Sequence, residues 1–148
     1  KFPLLDADGR IVGLAGLSRD LPRPNERHHS YRRLRRFLDF IDAGLEGPVL
    51  IAEAATHASV SMDTLARLVL EVFHVTPKQL LMKKRIDKAC QLLEETPASI
   101  TEVSAACGYA DHSAFSRQFK VATNMTPAQY RASRRDYAEN RNPVRRTF

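Results

Sequence analysis

Residues 99–131, SITEVSAACGYADHSAFSRQFKVATNMTPAQYR, are the most informative part of the chain. Its apolar residues recur every three or four positions on both sides of a short break, which is the spacing of amphipathic helices. Gly108 supplies the turn, where a positive φ costs little, and Asp111 is placed to cap the helix that follows. The pattern predicts a helix-turn-helix whose two helices enclose a small core made by Val103, Cys107, Phe115 and Phe119.

The second helix of this unit is predicted to carry a short, polar and basic face opposite its core, made by His112, Ser113, Ser116, Arg117 and Lys120. Small side chains let such a helix approach the major groove of duplex DNA, and a long donor reaches the base edges. Arg117 fits the two acceptors of a guanine, and Lys120 fits a phosphate. The ordinary structural alternatives are an arginine that pairs with an acidic neighbour and a solvated lysine.

The same pattern occurs twice in the chain. Three upstream residues recur at an offset of 49 and four more at an offset of 50, namely Pro48, Ile51 and Glu53, then Arg67, Thr76, Pro77 and Gln79. Such a repeat indicates a duplicated supersecondary unit. The upstream reading positions are Met62, Asp63, Ala66 and Arg67. Asp63 repels phosphate unless it accepts from a cytosine amino group, and Met62 suits a thymine methyl unless it is an ordinary surface residue. We therefore expect weaker or more shape-driven DNA contact from this copy.

Helical periodicity begins at Ser30 and predicts an all-α fold of about seven helices, with two homeodomain-like helix-turn-helix units. A long amphipathic helix over residues 78–94 joins the two copies. At about 1.5 Å per residue it is roughly 25 Å long, which with its turns allows the two reading helices to sit about 34 Å, or one duplex turn, apart. The other helices are predicted at residues 30–45, 51–58, 63–73, 101–107, 113–122 and 127–137.

The ends of the chain differ from this helical region. Asp8-Gly9, a hairpin-turn dipeptide with apolar residues on both sides, predicts a short β-hairpin within residues 1–22. Prolines and an asparagine indicate a linker at residues 23–29. The helical domain is expected at residues 30–137, followed by a basic tail at residues 138–148.

Charge favours a polyanionic partner. The 148-residue chain carries a net charge of +6, and residues 112–148 hold eight basic and two acidic residues, which is +6 by themselves. The sequence shows neither an apolar run of about 20 residues nor a leader, so we expect a soluble, cytoplasmic protein with no membrane contact. The only two cysteines, Cys90 and Cys107, are too few for a disulfide framework and are expected in the core.

The sequence lacks the motifs of an enzyme. No His, Cys and Glu spacing suits a metal, and neither a phosphate-cradling glycine loop nor a G-x-S-x-G turn occurs. We expect no catalytic residue, no metal and no cofactor. A helical protein-interaction module whose Arg117 face meets an acidic partner is the alternative to DNA binding. Salt-dependent binding that tracks DNA sequence separates the two, because an interaction module has no base preference.

Residues from about Leu34 to Arg135 resemble the DNA-binding domain of AraC/XylS-type bacterial transcription regulators, above all in the stretch quoted first. The R-x-x-x-A-x-x-L-L pattern of the family's connecting helix is present from Arg85 to Leu93. The resemblance implies double-stranded DNA as partner, promoter binding, and activation through recruitment of RNA polymerase. The chain departs from the family pattern in and around its turns and in its first reading helix, at Leu50, Ser59, Val69, Leu70, His74 and Asn124.

The first residues resemble the closing strands of a PAS sensor domain. The resemblance rests on a D-x-x-G turn at residues 6–9, the glycine-punctuated segment 12–16 and an Arg-Asp dipeptide at residues 19–20. It implies that the sequence is the C-terminal part of a longer sensor-regulator. A small-molecule effector would then be bound by the missing N-terminal part.

Overall fold

The computed structural model describes residues 2–5, 11–15 and 29–141. These residues form two short strands and seven helices. In chain order the elements are β1 (Phe2–Leu5), β2 (Ile11–Ala15), α1 (His29–Ala43), α2 (Ile51–His57), α3 (Met62–Phe73), α4 (Pro77–Glu95), α5 (Ile100–Ala106), α6 (His112–Thr123) and α7 (Pro127–Arg141). The pairs α2–α3 and α5–α6 are the two helix-turn-helix pairs expected from the repeat.

The two strands pair with each other in antiparallel fashion. Phe2 lies opposite Ala15, and Leu5 lies opposite Ile11, with an irregularity in register between Leu4 and Leu5. The Asp8-Gly9 turn lies outside the described residues, so the hairpin as a whole stays a prediction. The expected linker also lies outside them, apart from His29, which begins α1 one residue before the expected start.

The first compact unit, here called the N-terminal unit, contains α1, α2, α3 and α4 up to Ile86, together with residues 106–108. Each helix turns one stripe of residues inward at intervals of three or four, as an amphipathic helix does when it packs on others. The resulting core consists of Leu34, Phe37, Ile41, Ala54, Ala55, Ala58, Leu65, Val69, Leu80 and Leu81. The α3 helix is therefore held by its buried side, which leaves its other side outward.

The second compact unit, here called the C-terminal unit, contains α4 from Asp87, α5 up to Ala105, α6 and α7. A chain of aromatic rings runs through it, with successive centroids 5.2, 5.7 and 5.5 Å apart from Tyr109 through Phe115 and Phe119 to Tyr130. The Tyr130 hydroxyl donates to Glu94 Oε1 at 2.5 Å, which ties α7 to α4. Burial and this hydrogen bond raise the pKa of Tyr130 above its usual value.

Capping side chains explain where most of the helices begin. Ser99 and Glu102 cap α5 reciprocally, because the Ser99 N–H donates to Glu102 Oε2 at 2.7 Å and the Glu102 N–H donates to Ser99 Oγ at 3.2 Å. The helix thus begins at Ile100, one residue before the expected Thr101. At the matching place before α2, Leu50 makes no side-chain capping bond, as its departure from the family pattern predicts.

Left-handed backbone closes the turns at the positions that the sequence indicates. Gly108 has φ +77°, and a Cβ at this position would lie 2.4 Å from the Leu45 carbonyl oxygen. Within residues 29–141, three residues other than glycine also have positive φ, at 57° to 59°, namely Ser59, His74 and Asn124. These are the turn positions where the sequence departs from the family's glycines, and a side chain there costs conformational energy that asparagine tolerates best.

Candidate nucleic-acid interface

The predicted reading helix of the C-terminal unit is α6, and its first turn is fixed by Asp111. The Asp111 carboxylate accepts from the Ser113 N–H at 2.9 Å and from the Ala114 N–H at 3.2 Å. An acidic cap at this end is also favoured by the helix dipole. The predicted cap is confirmed, and it orders the first turn of α6, which carries the predicted reading positions His112 and Ser113.

The buried side of α6 is held by Phe115 and Phe119, both fully buried, as predicted. Thr123 closes the helix by donating its hydroxyl to the Phe119 carbonyl oxygen at 2.8 Å. The Tyr109 hydroxyl donates to Gln118 Oε1 at 2.8 Å, which ties the preceding turn to the middle of α6. These contacts orient the opposite side of the helix away from the core.

The five reading positions predicted on α6 lie on this outward side. His112, Ser113, Arg117 and Lys120 are exposed, and Ser116 is half-buried. The sequence of α6 contains no acidic residue, so its exposed face is basic through Arg117 and Lys120. The structure therefore gathers these residues on one face.

The predicted reading helix of the N-terminal unit is α3, which Ser61 caps by accepting from the Thr64 N–H at 3.2 Å. Leu65, Leu68 and Val69 are buried, and the four predicted positions, Met62, Asp63, Ala66 and Arg67, are all exposed. Here the charges differ from those of α6, because Asp63 and Glu71 lie on the same helix as its single basic residue, Arg67. The α3 helix is therefore net acidic.

The sequence analysis proposed no DNA contact for two apolar residues that are exposed on these helices. Val121 on α6 is 84% exposed, and Leu70 on α3 is 55% exposed. Val121 follows Arg117 by four residues, and Leu70 follows Ala66 by four residues, so each lies on the outward side of its helix. Their spacing of four residues from Arg117 and Ala66 could have predicted this exposure from the sequence.

The described residues offer little for other chemistry. Among them no group of three His, Cys, Asp or Glu side chains is arranged to hold a metal ion. Cys90 and Cys107 are both buried, as expected, and burial raises the pKa of the Cys90 thiol to about 11, which keeps it protonated and unreactive. Within residues 29–141, every helix is too short or too polar to cross a bilayer.

Comparison with known proteins gives the family. A profile described as a helix-turn-helix domain matches residues 54–133. The chain is 31% identical over 99 residues to the HTH-type transcriptional regulator GbdR of Pseudomonas aeruginosa, a match that covers 67% of this chain and 27% of GbdR. The chain thus spans well under half the length of this curated relative.

Solved structures agree with this match. An AraC-type transcriptional regulator from Chromobacterium violaceum is 30% identical with a TM-score of 0.67, over 71% of this chain and 94% of that chain. The DNA-binding domain of the global transcriptional factor AdpA, solved with a target DNA, is 26% identical with a TM-score of 0.66, over 76% of this chain and 97% of that chain. The chain belongs to the helix-turn-helix domain family, as an AraC/XylS-type DNA-binding domain.

Proposed function

We propose that the chain is a sequence-specific DNA-binding transcription regulator that reads two successive major grooves of a promoter, one with α6 and one with α3. The observation that carries this proposal is the exposed face of α6. It combines two long cationic side chains, Arg117 and Lys120, with small polar ones on a helix that contains no acid. A helix with this surface suits both the charge and the width of the major groove.

Within this proposal the side chains of α6 have separate roles. Arg117 donates two parallel hydrogen bonds to guanine O6 and N7, which is worth about 1–3 kcal/mol of base discrimination. Lys120 pairs with a phosphate and positions the helix without specifying sequence. His112, Ser113 and Ser116 face the base edges, where the two serines permit close approach.

The N-terminal unit supplies the second reader. Arg67 is the counterpart of Arg117, and Asp63 accepts from a cytosine amino group, which is the one base contact that suits an acid. Because α3 is net acidic, we expect it to add less electrostatic affinity than α6.

The proposed role of the longer protein rests on the two resemblances of the sequence, to AraC/XylS-type regulators and to a PAS sensor domain. We propose that residues 1–22 are the end of a PAS-like sensor domain, residues 23–29 a linker, residues 30–137 the DNA-binding domain and residues 138–148 a basic tail. The helix α7 continues past Tyr137 to Arg141 and so enters the segment assigned to the tail. A small-molecule effector would bind the preceding sensor part. RNA polymerase would be recruited in activation, and the site of action would be the bacterial cytoplasm, where promoter DNA is.

Catalysis is not part of this proposal, since the similar proteins are transcriptional regulators. The alternative of a helical module that binds an acidic protein uses the same Arg117 surface. Binding experiments separate the two, because an acidic protein and a DNA duplex both give salt-dependent binding but only DNA offers a base sequence.

Selection of bound duplexes from random DNA by the full 148-residue chain tests the function. We expect a defined motif. Replacement of Arg117 by alanine should relax base preference at one position of that motif. Replacement of Lys120 by alanine should weaken all duplexes about equally and lower the salt slope by about one. Equal weakening of all duplexes by Arg117→Ala would overturn its role as a base reader, and a selection without any motif would overturn the function.

A further inference from the structure

The outward side of α3 carries a row of apolar residues. Met62, Ala66 and Leu70 follow one another at intervals of four, so their side chains lie along one side of the helix. All three are exposed, Met62 to 47% and Leu70 to 55%. A helix that buries Leu65, Leu68 and Val69 on its other side has no packing need for this second apolar row.

The matching row of α6 is polar. At the repeat offset of 50, Met62, Ala66 and Leu70 correspond to His112, Ser116 and Lys120. Each hydrogen-bonding side chain of the downstream row is therefore replaced by an apolar one in the upstream row. The buried rows stay apolar in both copies, since Leu65 and Val69 correspond to Phe115 and Phe119.

The adjacent row of α3 argues against strong phosphate contact. It consists of Asp63, Arg67 and Glu71, which together carry one negative charge. Its counterpart on α6 consists of Ser113, Arg117 and Val121, which together carry one positive charge. The α3 surface therefore gains little from ion pairs with DNA and has to gain its affinity from the apolar row.

We infer that Met62, Ala66 and Leu70 read thymine methyl groups in the half-site that faces α3. The inference rests on the proposed function and names the base class for this reader. In an unmodified duplex, the thymine C5-methyl is the apolar group that base edges present in the major groove. Ala66 in the middle of the row lets the helix come close, and Met62 and Leu70 reach outward on either side of it. Met62 is adaptable because its side chain is unbranched and flexible.

The test replaces thymine by uracil, which removes the methyl group and keeps every hydrogen-bonding atom. The probe is the duplex selected by the full chain, with deoxyuridine placed at one thymine position at a time. We expect about fourfold weaker binding for each methyl that the row contacts, which corresponds to burial of one methyl-sized group. Uracil outside the α3 half-site should have no effect.

Two protein variants connect the effect to the row. Met62→Ala and Leu70→Ala remove partly exposed side chains from outside the core, and each should abolish the difference between thymine and uracil at one or more positions. Leu50→Ala is the matched control, because Leu50 is 59% exposed in the same unit but lies before α2, and it should preserve the full difference.

The outcomes distinguish a failure of the thymine inference from a failure of the proposed function. A selected motif that keeps its Arg117-dependent position but responds nowhere to uracil would overturn the thymine inference while the proposed function stands. The same holds if Met62→Ala and Leu70→Ala leave the response to uracil unchanged. The apolar row would then be a protein-docking surface. A selection that returns no motif would overturn both.

Discussion

Asp111 is the residue whose replacement tests most directly whether the order of α6 governs DNA affinity. Its carboxylate accepts two backbone N–H groups, from Ser113 at 2.9 Å and Ala114 at 3.2 Å. The Asp111→Ala variant removes both hydrogen bonds and the negative charge. Asp111→Asn removes the charge and one of the two acceptor oxygens, but asparagine is among the residues that cap helices about as well as aspartate.

The structure lets the two contributions be separated in magnitude. Loss of a cap costs about 1 kcal/mol of helix stability. Phe115 and Phe119 still hold the middle of α6, so the loss falls on the first turn, which carries His112 and Ser113. Loss of the carboxylate charge acts in the opposite direction on DNA binding, by roughly 0.4 kcal/mol for a phosphate at 10 Å in water before screening by salt. We expect Asp111→Ala to bind about threefold more weakly and Asp111→Asn to bind up to about twofold more tightly.

Fluorescence anisotropy with the selected duplex at constant salt measures the affinities, and urea unfolding measures the stabilities. Asp111→Ala should lower the free energy of unfolding by about 1 kcal/mol, and Asp111→Asn should lower it by less, because asparagine keeps one capping oxygen. The opposite signs of the two affinity changes are the decisive result. If both variants weakened binding equally, the cap would not be what prepares this helix for DNA, and the reasoning would fail.

Three further predictions concern stability. Gly108→Ala should lower the free energy of unfolding in urea by at least about 2 kcal/mol, because φ is +77° and the new Cβ would clash with the Leu45 carbonyl oxygen. Gly47→Ala is the control and should be nearly neutral, because the space around Gly47 is open. Leu50→Ser should raise the free energy of unfolding by about 1 kcal/mol by supplying the missing cap of α2, and an unchanged urea midpoint would contradict this. Burial raises the pKa of the Cys90 thiol from 9.0 to about 11, so between these pH values the thiol ionises more readily in the unfolded chain than in the folded one. The free energy of unfolding should therefore be highest below pH 9, as far as Cys90 is concerned, and should fall as the pH rises to 11. Cys90→Ala should flatten that part of the pH–stability curve, which a series of urea titrations measures.

Local sequence signals were sufficient for the helices and turns. Gly108 and Asp111 each have a conformational role that depends on a few neighbouring residues, and the structure places both as expected. The helix bounds agree to within one or two residues in most cases because apolar periodicity reports which side of a helix is buried. The exception is the end of α7, where the sequence turns polar and periodicity gives no stop signal.

Sequence patterns did not predict the contacts between residues far apart in sequence. The hydrogen bond from Tyr130 to Glu94 spans 36 positions, and the one from Arg85 Nη2 to the Gly47 carbonyl oxygen, at 2.6 Å, spans 38. Periodicity shows that a residue faces inward but does not identify the side chain or carbonyl that it meets there. The exposure of the predicted reading positions could be identified from the sequence, because which side of a helix faces outward follows from residue spacing.

The two copies show how the buried core and the surface chemistry vary separately. Burial constrains the inward rows, so Leu65 and Val69 in one copy match Phe115 and Phe119 in the other. Packing does not constrain the outward rows, so the matching positions Leu70 and Lys120 carry an apolar and a cationic side chain. Because α3 and α6 belong to different compact units, we expect changes on α3 to alter preference in its own half-site and to leave the Arg117-dependent position unchanged. Under the proposed function, α3 and α6 can therefore acquire different base preferences without a change in either core.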